Sequence, residues 1–405
     1  MASRRTAFEW LFWLAPALLS GCNAIFGIEP ASSGSVGSTG AMGGAAATTA
    51  SSSSSGGIGG ATATGAGGAA SSTSTSGTGG AAPCPPDRVQ ACDPVGGACT
   101  PHLVDGALND AIRIAVSGDF VFISTDIGIH RERYDGTQGL DFGAINGGTD
   151  GLTIAGDHLY WANYYNGVVT SAKLDGNGML PVAKLPMGDT IGDGRIAVRN
   201  GYVYWTSYTP HAIWRAKADG SEQQTPLKVV SDDDPVLKVS APRSVVVDDT
   251  HLYWTDDDGV HRMLVADIGT PAAKILDFAI DPSAPPLEMI LDEARVYWLS
   301  PFGDVRSKLT SAQPNDTSLV YQTQQPDAPV QLAVDETYLY WIAESGAVSR
   351  VKKGGGAVDL VVAGVSPAPM NAPPGLAVDC GAIYWTSTLQ TMGDTGKLWK
   401  AAKGP

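Results

Sequence analysis

Two runs of three consecutive aspartates have the residue type and spacing to bind a metal ion. The runs are Asp232, Asp233 and Asp234, and Asp256, Asp257 and Asp258. Clustered carboxylates supply the oxygen ligands that Ca²⁺ prefers, so Ca²⁺ is the cation that this candidate site would hold. Asp is also common in turns, where its side chain accepts hydrogen bonds from nearby backbone amides. The spacing does not match an EF-hand loop, so we favour solvated turn acids and expect no cofactor.

Aromatic side chains near carboxylates form a second candidate site, for a bound molecule rather than a metal. These residues are Tyr164, Tyr165, Tyr208 and Phe302, with His211 close to Tyr208 in sequence. They fall in segments rich in Asn, Ser, Thr, Pro and Gly, which predict loops. Binding residues are often found on loops that a rigid scaffold positions. We therefore predict that these residues bind a protein, a peptide or a glycan.

A repeated Tyr-Trp pair identifies the elements that position both groups. The tryptophans of six copies lie 43 to 49 residues apart, at Trp161, Trp205, Trp254, Trp298, Trp341 and Trp385. A seventh, degenerate copy has Phe122-Ile123 in place of Tyr-Trp. Repeats of about 40 to 50 residues with several short strands are typical of propeller blades. The sequence therefore predicts an all-β fold, a seven-bladed β-propeller of four-stranded antiparallel blades.

Alternation along each strand predicts the role of the aromatic pairs. Side chains alternate between the two faces of a strand, so Trp254 points to one side and Tyr253 to the other. The pairs should pack between neighbouring blades as core residues. Because the chain reverses at every strand, loops after the second strand and loops between blades share one face. Both aspartate runs and the aromatic loops fall on that face, which we call the candidate face.

Closure of the ring needs a strand from outside the seventh repeat, which has only three strand-like segments. Residues 84–111 are long enough to supply it, and residues 112–405 form the propeller. Apart from Cys22, the cysteines are Cys84, Cys92, Cys99 and Cys380. An even number in an exported chain predicts two disulfides, and three pairings are open. A bridge from Cys380 to the N-terminal segment would tie the seventh blade to its closing strand.

The first 83 residues predict export and attachment to a membrane. Residues 1–21 have a short basic start and an apolar run, as in a signal peptide. Leu19-Ser20-Gly21-Cys22 resembles the bacterial lipobox, which implies a lipid on Cys22 and an anchored N-terminus over 22–30. Residues 31–83 are almost entirely Gly, Ala, Ser and Thr and predict a disordered tether. We expect an exported protein anchored to the cell envelope, at the outer membrane or cell surface.

The charge of the chain bears on its partners. The formal net charge of the 405 residues is −15, and Lys and Arg are spread through the repeats, mostly singly. Nucleic-acid binding depends on basic surfaces, so we expect no nucleic-acid partner.

The succession of "AVD", "YW" and Gly in each repeat resembles the YWTD repeats of low-density-lipoprotein-receptor-type propellers, and more closely those of bacterial exported proteins. Only Tyr253-Trp254-Thr255-Asp256 has the full tetrapeptide. Propellers of the receptor family have six blades, so their ligand sites are not carried over. The lipobox followed by a Ser, Gly and Ala tether is similar to myxobacterial lipoproteins, which implies a cell-surface protein and no particular chemistry.

The sequence lacks common catalytic motifs and so does not favour an enzyme. The sequence contains no Gly-x-Ser-x-Gly, no His-Glu-x-x-His and no phosphate-binding glycine loop. Streptogramin-lyase-type and lactonase-type propellers are similar folds that use His or a carboxylate-bound metal on one face. The candidate face here has His211 alone, so a metal-assisted lyase or lactonase is the alternative to a binding scaffold. A structural component of the envelope is the third hypothesis.

Overall fold

The computed structural model describes most of the chain from Ala98 onward. The described ranges are 98–108, 111–143, 149–164, 166–186, 189–271, 273–279, 286–300, 302–311, 318–322, 327–364, 374–387 and 396–404. The predicted signal peptide, Cys22, the tether, Cys84, Cys92 and Tyr165 lie outside these ranges. Within them, no helix is long and apolar enough to cross a membrane.

The described residues form 28 strands and one short 3₁₀ helix, Val265–Asp267. Strand β1 is His102–Leu108. Blade 1 contains β2 Arg113–Ser117, β3 Phe120–Ser124, β4 Ile129–Arg133 and β5 Leu140–Phe142. Blade 2 contains β6 Thr149–Ala155, β7 His158–Asn163, β8 Val168–Lys173 and β9 Leu180–Lys184. Blade 3 contains β10 Thr190–Arg199, β11 Tyr202–Thr209, β12 Ala212–Lys217 and β13 Leu227–Ser231.

The remaining blades repeat this succession. Blade 4 contains β14 Ser244–Val247, β15 His251–Asp256, β16 Gly259–Leu264 and β17 Leu276–Ala279. Blade 5 contains β18 Met289–Leu291, β19 Arg295–Leu299, β20 Val305–Leu309 and β21 Ser318–Tyr321. Blade 6 contains β22 Pro329–Val334, β23 Tyr338–Ala343, β24 Val348–Lys352 and β25 Asp359–Val362. Blade 7 contains β26 Leu376–Val378, β27 Ala382–Ser387 and β28 Gly396–Ala402.

The strands pair into seven four-stranded antiparallel sheets, so the predicted seven-bladed β-propeller is confirmed. In blades 1 to 6 the strands follow chain order from the inner to the outer edge. In blade 7 the order is β26, β27, β28 and β1, so the outer strand comes from the N-terminal side of the propeller. This strand, His102–Leu108, lies at the C-terminal end of the segment expected to supply it.

The aromatic pairs form the contacts between blades. All six repeated tryptophans are at most 2% exposed. The Tyr of one blade packs in the same core cluster as the Trp of the next blade, as with Tyr204 and Trp254, and with Tyr253 and Trp298. Blade 1 keeps the pattern with other side chains, because Phe122 packs with Trp161 and Ile123 packs with Tyr384. The pairs therefore build the core of the ring.

The Asp of the repeated "AVD" has a structural role in blades 4 to 7. These aspartates, Asp248, Asp292, Asp335 and Asp379, accept backbone hydrogen bonds in the turn that follows the inner strand. Each also accepts a hydrogen bond from the Tyr of its own blade, at 2.9 to 3.2 Å between the oxygens. The motif thus fastens the first turn of the blade to its second strand.

The N-terminal segment 98–108 contacts three blades at the closure of the ring. The backbone amide of Cys99 donates to the carbonyl of Val361 in blade 6, at 2.6 Å. Strand β1 pairs with β28 of blade 7, with His102 opposite Lys400. Val104 packs against a cluster of buried residues from blades 1 and 7, among them Ile114 and Tyr384. The disulfide pairing stays a prediction, since Cys84 and Cys92 lie outside the described residues.

Candidate functional site

Buried polar side chains join three blades at the candidate-face end of the inner strands. Arg113 begins β2, Gln331 lies near the start of β22, and Glu288 directly precedes β18. An Arg113 guanidinium nitrogen donates to Gln331 Oε1 at 3.3 Å, and Gln331 Nε2 donates to Glu288 Oε1 at 2.6 Å. Because blades 1 and 6 are not neighbours, a contact between their inner strands lies near the axis of the ring. These residues form a polar floor under the candidate face.

Three of the predicted site residues come together above blade 3. Tyr208 is the second-last residue of β11, at the candidate face, and 62% of its surface is exposed. Its ring lies edge-on to His211, with 5.4 Å between the ring centroids. His211 Nδ1 is 3.6 Å from Asp232 Oδ2, and the His211 carbonyl accepts the Asp232 amide at 3.0 Å. An aromatic ring, an imidazole and a carboxylate thus form one exposed group.

The other predicted aromatic residues lie on other blades of the candidate face than Tyr208. Phe302 is 52% exposed in the turn between β19 and β20, where its amide donates to Ser300 Oγ at 3.3 Å. Tyr164 is half-buried after β7, and Tyr165 lies outside the described residues. Blade 4 separates the blades that hold Tyr208 and Phe302, so these residues mark a broad surface rather than one pocket.

The first aspartate run has its carboxylates engaged in local turn bonds. Ser231 Oγ donates to Asp233 Oδ1, and this bond is the main cause that lowers the pKa of Asp233. Asp234 Oδ1 accepts the amides of Val236 and Leu237 at 2.7 and 2.8 Å, and these bonds lower the pKa of Asp234. Both aspartates therefore stabilise the turn between β13 and β14, as the turn-acid interpretation expects.

The second run differs from that interpretation at its first residue. Asp256 is only 2% exposed, so describing it as a solvated turn acid was wrong. Its Oδ1 lies 2.8 Å from His261 Nε2, and its Oδ2 accepts from Trp254 Nε1 at 3.3 Å. Asp256 points back into blade 4 because the two-residue turn at 257–258 brings His261 across the hairpin. Asp257 and Asp258 are exposed, as expected.

The six aspartates do not form a compact set of metal ligands. Among the described residues, the one group of three or more metal-ligating side chains with ligand atoms close together is Asp105, His130 and Glu132. Asp257 is instead bonded to Arg243, with 2.6 Å between nitrogen and oxygen. Ca²⁺ binding by the two runs stays a prediction, and the local bonds of Asp233, Asp234 and Asp256 favour the structural alternative.

Exposed apolar side chains are another feature of the candidate face. In the described loops of that face, the large exposed apolar residues are Ile127, Tyr208, Val236, Leu287 and Phe302. Carboxylates stand beside them, among them Asp232 and Asp233. An acidic rim with apolar residues is suited to a partner that presents both cationic and apolar groups.

Sequence reasoning missed the polar floor and the Asp105, His130 and Glu132 group. His130 lies on the third strand of blade 1 and not in a loop of the candidate face, and Arg113, Glu288 and Gln331 match no motif. The one available signal was the position of Arg113, Glu288 and Gln331 at the start of apolar inner strands, where polar residues are unusual.

Comparison with known proteins bears on the fold. The WD40 repeats of RRP9 superpose with a TM-score of 0.58 at 10% identity, covering 78% of this chain and 99% of that chain. U3-55K gives a TM-score of 0.57 at 9% identity, with 75% and 99% covered. The Cps50 (Swd1) β-propeller domain of Myceliophteria thermophila gives 0.52 at 9% identity, with 74% and 99% covered.

These likenesses show the fold alone. At 9 to 10% identity, the binding properties of WD40 proteins do not transfer to this chain. No family model matches the sequence, and no curated protein matches it. The resemblance to YWTD-type repeats and to bacterial lipoproteins therefore stays a prediction.

Proposed function

We propose that the propeller is an interaction scaffold that binds its partner on the candidate face, and that Cys22 carries the lipid that anchors the chain to the cell envelope. The partner is a protein, a peptide or a glycan. The observation that carries the proposal is the exposed group formed by Tyr208, His211 and Asp232 on a rigid ring. Tyr is enriched among the residues that dominate binding energy at interfaces, because it adds large apolar area and a polar tip.

The architecture supports a binding role for this face. The inner strands and the polar floor hold the ends of the candidate-face loops in place. The loops can therefore differ in sequence from blade to blade without disturbing the strands. The aromatic pairs are buried between blades. The loops are therefore the part of each repeat that can contact a partner. The predicted tether of residues 31–83 would hold the propeller away from the lipid surface and let it sample its surroundings.

Site-specific photo-crosslinking in cells tests the binding face. A photo-crosslinking amino acid placed at position 208 should capture a partner, whereas one placed at position 180, an exposed Leu on the outer strand β9, should not. With the captured partner in hand, the double variant Tyr208→Ala with Phe302→Ala should weaken binding at least tenfold. The matched control, Leu180→Ala with Leu360→Ala, also removes two exposed apolar side chains and should leave binding unchanged.

Two results would count against the scaffold. Crosslinks from position 180 and none from position 208 would move the binding surface to the outer edge of the blades. Turnover of model lactones by the purified full chain, abolished by a chelator and by His211→Ala, would support the lyase or lactonase alternative instead. Globomycin-sensitive labelling with a palmitate analogue, lost in Cys22→Ser, would test the anchor separately.

A further inference from the structure

Asp105, His130 and Glu132 meet between blades 7 and 1, at the closure of the ring. Asp105 belongs to β1, the closing strand of blade 7, whereas His130 and Glu132 are on β4 of blade 1. One potential ligand atom of each residue lies within 4.8 Å of the other two. His130 and Glu132 share a face of β4 because they are two residues apart in a strand. The group therefore joins two blades that come from opposite ends of the propeller sequence.

The geometry of the group fits a tetrahedral metal ion. His130 Nε2 is 3.4 Å from Asp105 Oδ2 and 3.3 Å from Glu132 Oε2. Ligand atoms about 2.0–2.2 Å from a tetrahedral Zn²⁺ ion are about 3.3–3.5 Å from one another. The two separations from His130 thus match those that a shared ion would impose, and the ligand oxygens of Asp105 and Glu132 lie within 4.8 Å of each other.

A third carboxylate, that of Asp141, orients the imidazole. His130 Nδ1 lies 2.7 Å from Asp141 Oδ1 on the neighbouring strand β5. A carboxylate that accepts Nδ1–H leaves Nε2 with its lone pair, and this arrangement recurs behind metal-bound histidines because it fixes the tautomer and raises the basicity of the ring. In this tautomer the lone pair of Nε2 faces the carboxylates of Asp105 and Glu132. A cation bound by all three groups would relieve the repulsion between the lone pair and the carboxylates.

The carboxylate of Glu132 is buried. The residue is 5% exposed, and its Oε1 receives no hydrogen bond from the described residues. A buried carboxylate oxygen without a partner is costly, since burial removes its water and nothing replaces it. The backbone of Gly139 lies close to this carboxylate, since a Cβ at Gly139 would be 2.8 Å from Glu132 Oε2. The absence of a side chain at Gly139 leaves room for this carboxylate.

The charge around the group is unbalanced without a cation. Asp105, Glu132 and Asp141 surround one imidazole, and in the described residues none of the three pairs with Lys or Arg. A divalent cation would neutralise the two carboxylates that face Nε2.

We propose that Asp105, His130 and Glu132 bind a divalent transition metal, with Zn²⁺ as the best match, and that Asp141 is the positioning residue behind His130. One imidazole and two carboxylates suit Zn²⁺ better than Ca²⁺, which prefers six to eight oxygens. Three protein ligands leave one position for water. A bulge in β1 accompanies this arrangement, because the register with β28 shifts on both sides of Asp105. The metal would pin the closing strand to blade 1.

Zn²⁺ binding to the chelator-treated full chain, with thiols alkylated to exclude cysteine ligands, tests the site. Competition with a fluorescent zinc chelator should give one site in the unmodified protein. His130→Gln and Glu132→Gln should each weaken Zn²⁺ binding by about 100-fold, and Asp141→Asn by about 10-fold. The matched control is His158→Gln, because His158 also has Nδ1 beside a carboxylate, Asp157, at 2.7 Å but belongs to no group of three metal-ligating side chains among the described residues. Its Zn²⁺ affinity should equal that of the unmodified protein.

Two further measurements on the unmodified protein test the site even if a variant folds poorly. Co²⁺ bound to the unmodified protein should give the intense visible absorption of a tetrahedral site, and Zn²⁺ should displace it. Zn²⁺ should raise the melting temperature of the unmodified protein and of His158→Gln, but not of Glu132→Gln. Absence of micromolar Zn²⁺ binding, or equal affinity in His130→Gln and His158→Gln, would show a histidine–carboxylate network without a metal.

Discussion

The hydroxyl of Tyr253 donates to Oδ2 of Asp248 at 3.0 Å, which joins the second strand of blade 4 to the turn before it. Burial, followed by the Asp248 charge and this bond, raises the pKa of Tyr253 above its ordinary value, so Tyr253 stays protonated and able to donate. The ring is fully buried and packs edge-on against Phe278, with 5.2 Å between centroids. One side chain thus serves both the core and the turn.

Removal of this hydroxyl should destabilise the propeller without opening a cavity. Tyr253→Phe leaves the ring in place and deprives Asp248 of one donor, so we expect the free energy of unfolding to fall by about 1–2 kcal/mol. Chemical denaturation followed by Trp fluorescence measures the change. Tyr208→Phe is the control, because Tyr208 is exposed and its hydroxyl should contribute nothing measurable. An equal loss in both variants would contradict the assigned role.

Asp335 should make stability depend on acid pH. Burial raises its pKa, but Lys403 at 2.6 Å and the backbone amides of Tyr338 and Thr337 outweigh that effect, so the pKa is lowered. A lowered carboxyl pKa contributes stability that is present above the unfolded value of about 3.9 and is lost as the pH falls through the folded value.

The test compares the unmodified protein with Asp335→Asn across this range of pH. The difference in the free energy of unfolding should be largest near neutral pH and should shrink steadily below about pH 4. Lys403→Gln should reduce the same difference at neutral pH, because it removes the cation that lowers the Asp335 pKa. A difference that does not change between pH 7 and pH 3 would contradict the ion pair as its source.

Asp256 should matter for folding more than its neighbours in the run. Asp256→Ala leaves Trp254 Nε1 and the buried His261 ring without their acceptor, which we expect to cost about 1–3 kcal/mol of unfolding free energy. Asp258→Ala changes an exposed side chain and should stay within about 0.5 kcal/mol. If millimolar Ca²⁺ raised the melting temperature of the unmodified protein and not of Asp256→Ala, the cation hypothesis would replace the structural one.

The cysteines near the closure of the ring should be oxidised in the exported protein. Cys99 is buried between blades 6 and 7, and Cys380 lies in the turn between β26 and β27. Peptide mapping without reduction should find Cys380 linked to one of Cys84, Cys92 and Cys99. A map in which Cys380 is a free thiol would remove the proposed covalent closure and leave β1 held by hydrogen bonds and packing.

The fold could be predicted because the residues that define it recur at a fixed period, whereas the sites depend on contacts that the repeat pattern does not show. Trp254 and Tyr253 recur in a fixed place, and strand alternation is enough to assign them to opposite sides of a blade. Asp105 and His130 belong to different blades and meet only because β1 crosses to blade 7 and bulges there. Asp256 resembles any turn aspartate until the hairpin register places His261 beside it. No local pattern distinguishes these cases.

The donation of β1 by the N-terminal side of the chain has a mechanical consequence. A pull on residues before Ala98 loads the hydrogen bond between Cys99 and Val361 and then β1, which lies antiparallel to β28. Tension along a strand loads the hydrogen bonds of its ladder together, in shear, so the closing strand resists better than a strand peeled off bond by bond. A metal clasp between Asp105 and blade 1 would sit along the path of that force.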